Sequence, residues 1–144
     1  MAITIHPKAG QILLCDFFPG FKEPEMVKEK RPVIVLTGPI KGRSNLVTIA
    51  ALSHREPKPP QLYHYKIPRQ SMPMTGKFQD EDSWLKGDMI YTFGFHRLHL
   101  IRLGKRGSDD KRLYFTNRLG PEQMKQIYQC VMHGLNLAKL AVHV

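Results

Sequence analysis

Apolar residues run along this chain in short, strand-length blocks broken by glycine and proline, and only the last quarter carries helical spacing. Gln11 to Phe17 (QILLCDF), bounded by Gly10 and by Pro19-Gly20, predicts a first strand. Arg31 to Thr37 (RPVIVLT) is rich in β-branched residues and predicts a second, with Pro32 at its start, where a strand tolerates a missing N–H. Asn45 to Ser53 (NLVTIAALS) predicts a third. The stretch from His54 to Gly76 holds Pro57, Pro59, Pro60, Pro68 and Pro73 and reads mostly as loop, with Leu62 to Ile67 (LYHYKI) as a short edge strand inside it. Trp84-Leu85 and Met89 to Phe93 read as two strands flanking a Lys86-Gly87-Asp88 turn. Leu100 to Leu103 and Arg112 to Phe115 read as a hairpin across Gly104 to Lys111, whose Gly-Ser-Asp-Asp is turn chemistry. Gly120-Pro121-Glu122 then opens a helix, with Met124, Ile127, Tyr128, Val131, Leu135 and Ala138 recurring at spacings of three and four. Short strands closed by one C-terminal helix predict a mainly β (α+β) fold, a small and strongly bent antiparallel sheet or barrel, as one domain over residues 1–144.

Charge narrows the function more than composition does. Twenty-two Lys+Arg face 12 Asp+Glu, a net charge of +10 and a pI of about 9.8, which points to a polyanionic partner. At 42% hydrophobic the chain is too apolar for a disordered basic tail. Its apolar runs are too short to span a bilayer, and Met1 to Lys8 lacks the pattern of a signal peptide, so no membrane partner and a cytoplasmic location are expected. Cys15 and Cys130 stand far apart in apolar surroundings and read as buried free thiols in a reducing compartment.

The chain carries no GxxxxGK[ST], GxGxxG, HExxH or GxSxG motif, and its seven histidines show no metal-type clustering with acids or thiols, so neither a metal nor another cofactor is expected. What remains is a set of cationic, hydroxyl and imidazole groups at strand ends. Arg31 follows Lys28-Glu29-Lys30, Ser53-His54-Arg55 closes the third strand, and Tyr63-His64-Tyr65-Lys66 interleaves rings with cations. If strands two to four are neighbours, these ends line one groove suited to single-stranded nucleic acid, with cations on phosphates and rings on unstacked bases. Each signal alone has a plainer reading: a charged run is ordinarily a solvated loop, and a serine at a strand end ordinarily a turn residue.

The order of these segments resembles the MazF/PemK family of bacterial toxin–antitoxin ribonucleases. Gly10 to Phe17 (GQILLCDF) is similar to the family's G-x-I-x-x-x-D first strand. The glutamate-containing loop followed by Arg31-Pro32-Val33-Ile34-Val35-Leu36 is similar to its Glu…Arg-Pro-Val-Val-Val-Leu element. Thr48 to Ser53 matches a strand ending in a hydroxyl residue, and Asp88 to Thr92 with Arg97-Leu98 resembles the later Ile-x-Thr…Arg-Leu segment. The resemblance implies an SH3-like, strongly curved barrel with added helices, a homodimer, metal-free cleavage of single-stranded RNA, and an acidic antitoxin protein as inhibitor. It implies a catalytic role for Arg31 and, in place of the family's threonine, for Ser53. Glu25 or Glu23 takes the place of the loop glutamate, although Pro24 and Met26 break the usual spacing.

In such a reaction the ribose 2′-OH attacks the adjacent phosphate. Arg31 would stabilise the developing charge and Ser53 would position the phosphate, with His64 or His54 transferring protons and Glu25 as the alternative base. Lys28, Lys30, Arg43, Arg55, Tyr63 and Lys66 are the expected RNA-binding residues. The alternatives are a non-catalytic nucleic-acid-binding SH3-like module and a gyrase poison of the CcdB type. The apolar stripe from Met124 to Ala138 serves either the core or a dimer surface.

Overall fold

The structure is a computed structural model describing residues 2–17, 20–25, 30–106 and 112–144. Among the described residues eight strands form two sheets: β1 (Ile12–Asp16), β2 (Lys30–Val35), β3 (Leu46–Ser53), β4 (His64–Ile67), β5 (Ser83–Gly94), β6 (Leu98–His99), β7 (Ile101–Arg106) and β8 (Arg112–Phe115). The α-helices among the described residues are α1 (Lys77–Asp80) and α2 (Pro121–Gly134). Six strands pair antiparallel in the order β4-β5-β3-β2-β1-β6, and β7 pairs with β8; Gly104 to Arg106 belong to β7 and not to the expected turn, whose remaining residues 107–111 lie outside the described residues. The main sheet has β4 at one edge and β6 at the other, so it is a curved open sheet and not a closed barrel. The short edge strand foreseen in the proline-rich stretch is β4. It does not lie beside β3, however, because β5 stands between them.

Both faces of the sheet are covered, which is why β2 and β3 read as near-continuous apolar runs. On one face Ile12, Ile34, Ala50, Leu52, Ile67 and Leu85 pack with Ile101 and Phe115 of the hairpin strands and with Met124, Ile127 and Cys130 of α2. On the other, Leu13, Cys15, Val33, Val35, Val47, Ile49 and Ala51 pack with Phe17 and Leu98 and with the half-buried rings of Phe21, Tyr91, Phe93 and Phe95. The predicted two strands around Lys86-Gly87-Asp88 are one strand, β5. Its pairing with β3 runs Ala50↔Ile90 and then Ala51↔Lys86, so residues 87–89 form a bulge and not a turn.

The C-terminal helix begins as its sequence predicts. Pro121 occupies the first helical position, and the Gly120 N–H donates to Gln123 Oε1 at 3.1 Å. The Gln123 amide in turn donates to Ser71 Oγ at 3.0 Å, pinning the proline-rich stretch to the helix start. The helix ends at Gly134, so Leu135 and Ala138 fall outside it; Asn136 closes it at φ 60°. Met124, Ile127 and Cys130 are buried and Tyr128 and Val131 half-buried in the core, which assigns these positions of the stripe to core packing. Among the described residues no helix is long and apolar enough to cross a membrane.

Tyr128 donates its hydroxyl to the Leu36 carbonyl at 2.7 Å, fastening α2 to the end of β2. Tyr128→Phe removes that donor and leaves a half-buried carbonyl unpaired, and is expected to cost about 1 kcal/mol. Urea denaturation measures this, and an unchanged midpoint would show that water replaces the bond.

Candidate active site

The strand ends singled out in the sequence meet at one end of the sheet. Cys15 pairs with Arg31 across β1 and β2, and Ser53 with Trp84 and Trp84 with Lys66 across β3, β5 and β4. Extending the Val33↔Ala51 register by two residues brings Arg31 opposite Ser53. Here Arg31, Ser53, His54, Arg55, Lys77 and Glu81 line a cavity of about 160 Å³. Lys77 opens α1, and Glu81 directly follows that helix.

Arg31 is held by one hydrogen bond, from its Nη2 to the Leu52 carbonyl at 3.3 Å, while its Nε is buried and unpaired. None of the ion pairs among the described residues involves it. Burial accordingly pushes its pKa below the usual arginine value, the sign of a cation kept from water without a counter-charge. Arginine stays protonated even so, and its planar fork suits phosphate oxygens. An unpaired buried donor costs about 1–3 kcal/mol, more when charged, unless a ligand completes it. An anion bound in the cavity would complete that donor.

Ser53 is buried at 8% exposure, and its Oγ accepts from the Arg55 N–H at 3.1 Å, leaving its own proton free to donate. His54 Nδ1–H donates to the Asp82 carbonyl at 3.3 Å, which leaves Nε2 as the basic nitrogen of the neutral ring. Its ring meets Phe78 of α1 edge-on at 5.2 Å. Burial lowers the His54 pKa; the Asp82 carbonyl opposes this, Arg31 and Lys77 add to it, and Glu81 also opposes it. The ring is thus neutral, and able to accept a proton, near neutral pH.

The other candidates stand apart from this cavity. His64 lies opposite Lys86 and not in the row of Ser53; its Nδ1 accepts from the Gln61 N–H at 2.9 Å, so it carries its proton on Nε2. Its pKa is lowered too, first by burial and then by Lys86, with Asp88 opposing. Tyr63 packs its half-buried ring on His64 at 4.5 Å. Lys66 is tied to Asp82 at 3.3 Å, and Arg69 shares the same carboxylate at 3.1 Å. Those two cations hold the Asp82 carboxyl below its usual pKa, Lys66 most strongly. Arg43 donates from Nη2 to Thr48 Oγ1 at 3.1 Å, five strand residues and so roughly 16 Å from Ser53. Arg43 is not brought to the groove. Glu25 is exposed, and its Oε1 accepts from the Lys22 N–H at 3.2 Å, closing its own turn. It does not line the cavity. Lys30 is exposed on β2 opposite Asp16, and Lys28 lies outside the described residues.

Arg55 also lines an adjoining hollow of about 490 Å³ with Glu56, Pro57, Lys58 and Lys86. Sequence reasoning missed Lys58, Lys77, Glu81 and Lys86. The usable signal was Phe78, a lone ring between Lys77 and Gln79, which is buried and docks α1 against the core.

Comparison with known proteins places this geometry in context. An uncharacterised protein of Haemophilus influenzae (strain ATCC 51907 / DSM 11121 / KW20 / Rd) is 28% identical, over 97% of this chain and 98% of its own. The putative uncharacterised protein YifN of Escherichia coli (strain K12) is 26% identical, over 97% and 99%. A mycobacterial endoribonuclease solved in complex with its cognate antitoxin superposes with a TM-score of 0.58 at 19% identity, over 91% of this chain and 96% of that one. A second mycobacterial endoribonuclease gives 0.52 at 16%, over 92% and 93%. At such identities these two structures establish a shared fold. The family described as PemK-like, MazF-like toxin of type II toxin–antitoxin system matches residues 8–135, and the chain, with its Arg-Pro strand and hydroxyl-ended β3, belongs to that family.

Proposed function

We propose that the protein is the toxin of a type II toxin–antitoxin pair and acts as a metal-independent endoribonuclease on single-stranded RNA. The observation that carries this reading is the buried, unpaired Nε of Arg31 beside the buried hydroxyl of Ser53. In the reaction His54 Nε2 takes the proton of a ribose 2′-OH, the 2′-oxygen bonds to the adjacent phosphorus, and the bond from phosphorus to the 5′-oxygen breaks. The products are a 2′,3′-cyclic phosphate and a 5′-hydroxyl, whose proton comes from a cavity acid or water. Arg31 stabilises the charge that builds on the phosphate oxygens, and Ser53 Oγ–H donates to the same phosphate.

Lys30, Arg55 and Lys66 are proposed to steer and hold the RNA backbone, with Lys58 and Lys86 extending the cationic path along the adjoining hollow. Glu25 leaves the proposed chemistry, and His64 with Tyr63 supports RNA rather than proton transfer. The partner antitoxin is acidic, competes with RNA for this cationic surface, and relieves the same unpaired charge. The toxin acts as a homodimer in the cytoplasm.

Purified protein incubated with 5′-labelled single-stranded RNA in EDTA is expected to yield fragments with 2′,3′-cyclic phosphate ends, and raising salt should weaken RNA binding steeply. RNA retained without cleavage would instead identify a binding module, and inhibition of DNA supercoiling without RNA cleavage would identify a gyrase poison.

A further inference from the structure

The cavity holds three cations, Arg31, Arg55 and Lys77, and among the described residues lining it one carboxylate, Glu81. Glu81 reaches this position because α1 is anchored by the buried ring of Phe78, and because the Glu81 N–H donates to the Lys77 carbonyl at 2.9 Å as the helix ends. The segment carrying it lies between β4 and β5, on the far side of the sheet order from the β1–β2 loop that carries Glu25.

Resting on the ribonuclease reading, we propose that Glu81 is a positioning residue that stabilises the imidazolium formed when His54 takes the 2′-OH proton, and that Lys77 opposes it by holding a substrate phosphate. A base with two cations nearby, Arg31 and Lys77, meets mounting repulsion as it gains a proton. A carboxylate on the same wall offsets that repulsion at the moment of transfer. The groups facing His54 are Arg31 from β2, Phe78 and Lys77 from α1, Glu81 and the Asp82 carbonyl from the segment after it, and Arg55 on its own loop. The Asp82 carboxylate is taken up by Lys66 and Arg69, so Glu81 is the free counter-charge among the described residues of the cavity.

The test reads His54 directly. Proton NMR titration of the His54 Cε1–H, assigned with His54→Gln, is expected to show a lower midpoint in Glu81→Gln and a higher one in Lys77→Met. In RNA cleavage, Glu81→Gln should move the acidic limb of the pH–rate profile to lower pH and reduce kcat about tenfold, a part of what acid–base catalysis supplies. KM should stay near that of the wild type, and Glu81→Asp should restore much of the rate. Lys77→Met should raise KM and move the limb to higher pH. Identical His54 titrations in wild type and Glu81→Gln would overturn the role of Glu81 while leaving the ribonuclease reading intact. Absence of cleavage by the wild-type protein, whatever the titrations show, would overturn that reading and the catalytic role built on it.

Discussion

Arg31→Ala is expected to abolish RNA cleavage, lowering kcat by at least about a thousandfold, and to leave the protein as stable as the wild type or more so. The first effect follows from the loss of the cavity cation whose Nε is buried and unpaired. A single charge-stabilising donor is worth about a hundredfold to a thousandfold, and an arginine on a transferring phosphoryl group about 10³–10⁵. The second effect is the more diagnostic. Arg31 is expected to cost the fold stability, because its half-buried guanidinium has one hydrogen bond, to the Leu52 carbonyl, and takes part in none of the ion pairs among the described residues. Truncation removes that burden, as expected for a residue kept for chemistry at the expense of the fold. Arg31→Lys keeps the charge but loses the planar fork, and should fall between the two. Cleavage assays and urea denaturation on the three proteins test the pair of effects. A cleaving Arg31→Ala protein would remove Arg31 from the mechanism, and a marked loss of stability would make it structural.

The largest expected effect on stability lies away from the cavity, where α2 meets β5. A Cβ on Gly134 would run into the carbonyl of Gly87 and lie 2.8 Å from Asp88 Cα. One on Gly87 would lie 2.7 Å from the Tyr63 oxygen and 2.8 Å from the Cys130 oxygen. Every obstacle is backbone, so no side chain can rotate away. Gly→Ala within a helix ordinarily gains about 1 kcal/mol. Gly134→Ala is expected to reverse that sign and destabilise by about 1–3 kcal/mol, the range for forced overpacking. Gly38, which has nothing within 4 Å of its would-be Cβ, supplies the control: Gly38→Ala should be close to neutral. Unfolding midpoints decide the matter, and a stabilised Gly134→Ala protein would mean that α2 and β5 separate without cost.

Much of this fold was legible locally. β1, β2, β3 and α2 announce themselves because each buries a run or a stripe whose period depends only on neighbouring residues. Arg31 and Ser53 were legible together because the family resemblance gave each a catalytic place, while the register that sets them opposite one another comes from the pairing of β2 with β3. The closeness of His54 to Arg31 was less so, and that of Lys77 and Glu81 not at all. Those residues come together through the docking of Phe78 and through the insertion of β5 between β3 and β4, neither of which leaves a periodic trace. Glu25 shows the converse. The resemblance put it or Glu23 in the place of the loop glutamate despite the broken spacing, while its carboxylate closes its own turn.

β5 misled for a different reason, and that reason bears on how such chains can change length. Leu85 shares a core face with Leu52, and Ile90 shares that same face with Ala50, so odd positions face α2 before the bulge and even positions after it. The three residues 87–89 act as a half-step that resets the alternation. Removing or adding one residue there would turn Tyr91 and Phe93 off the aromatic layer, or Leu85 off the helix side. Homologous chains should therefore gain or lose residues at this point in twos, and an insertion tolerated in any ordinary turn would here exchange the inside of the protein for its outside.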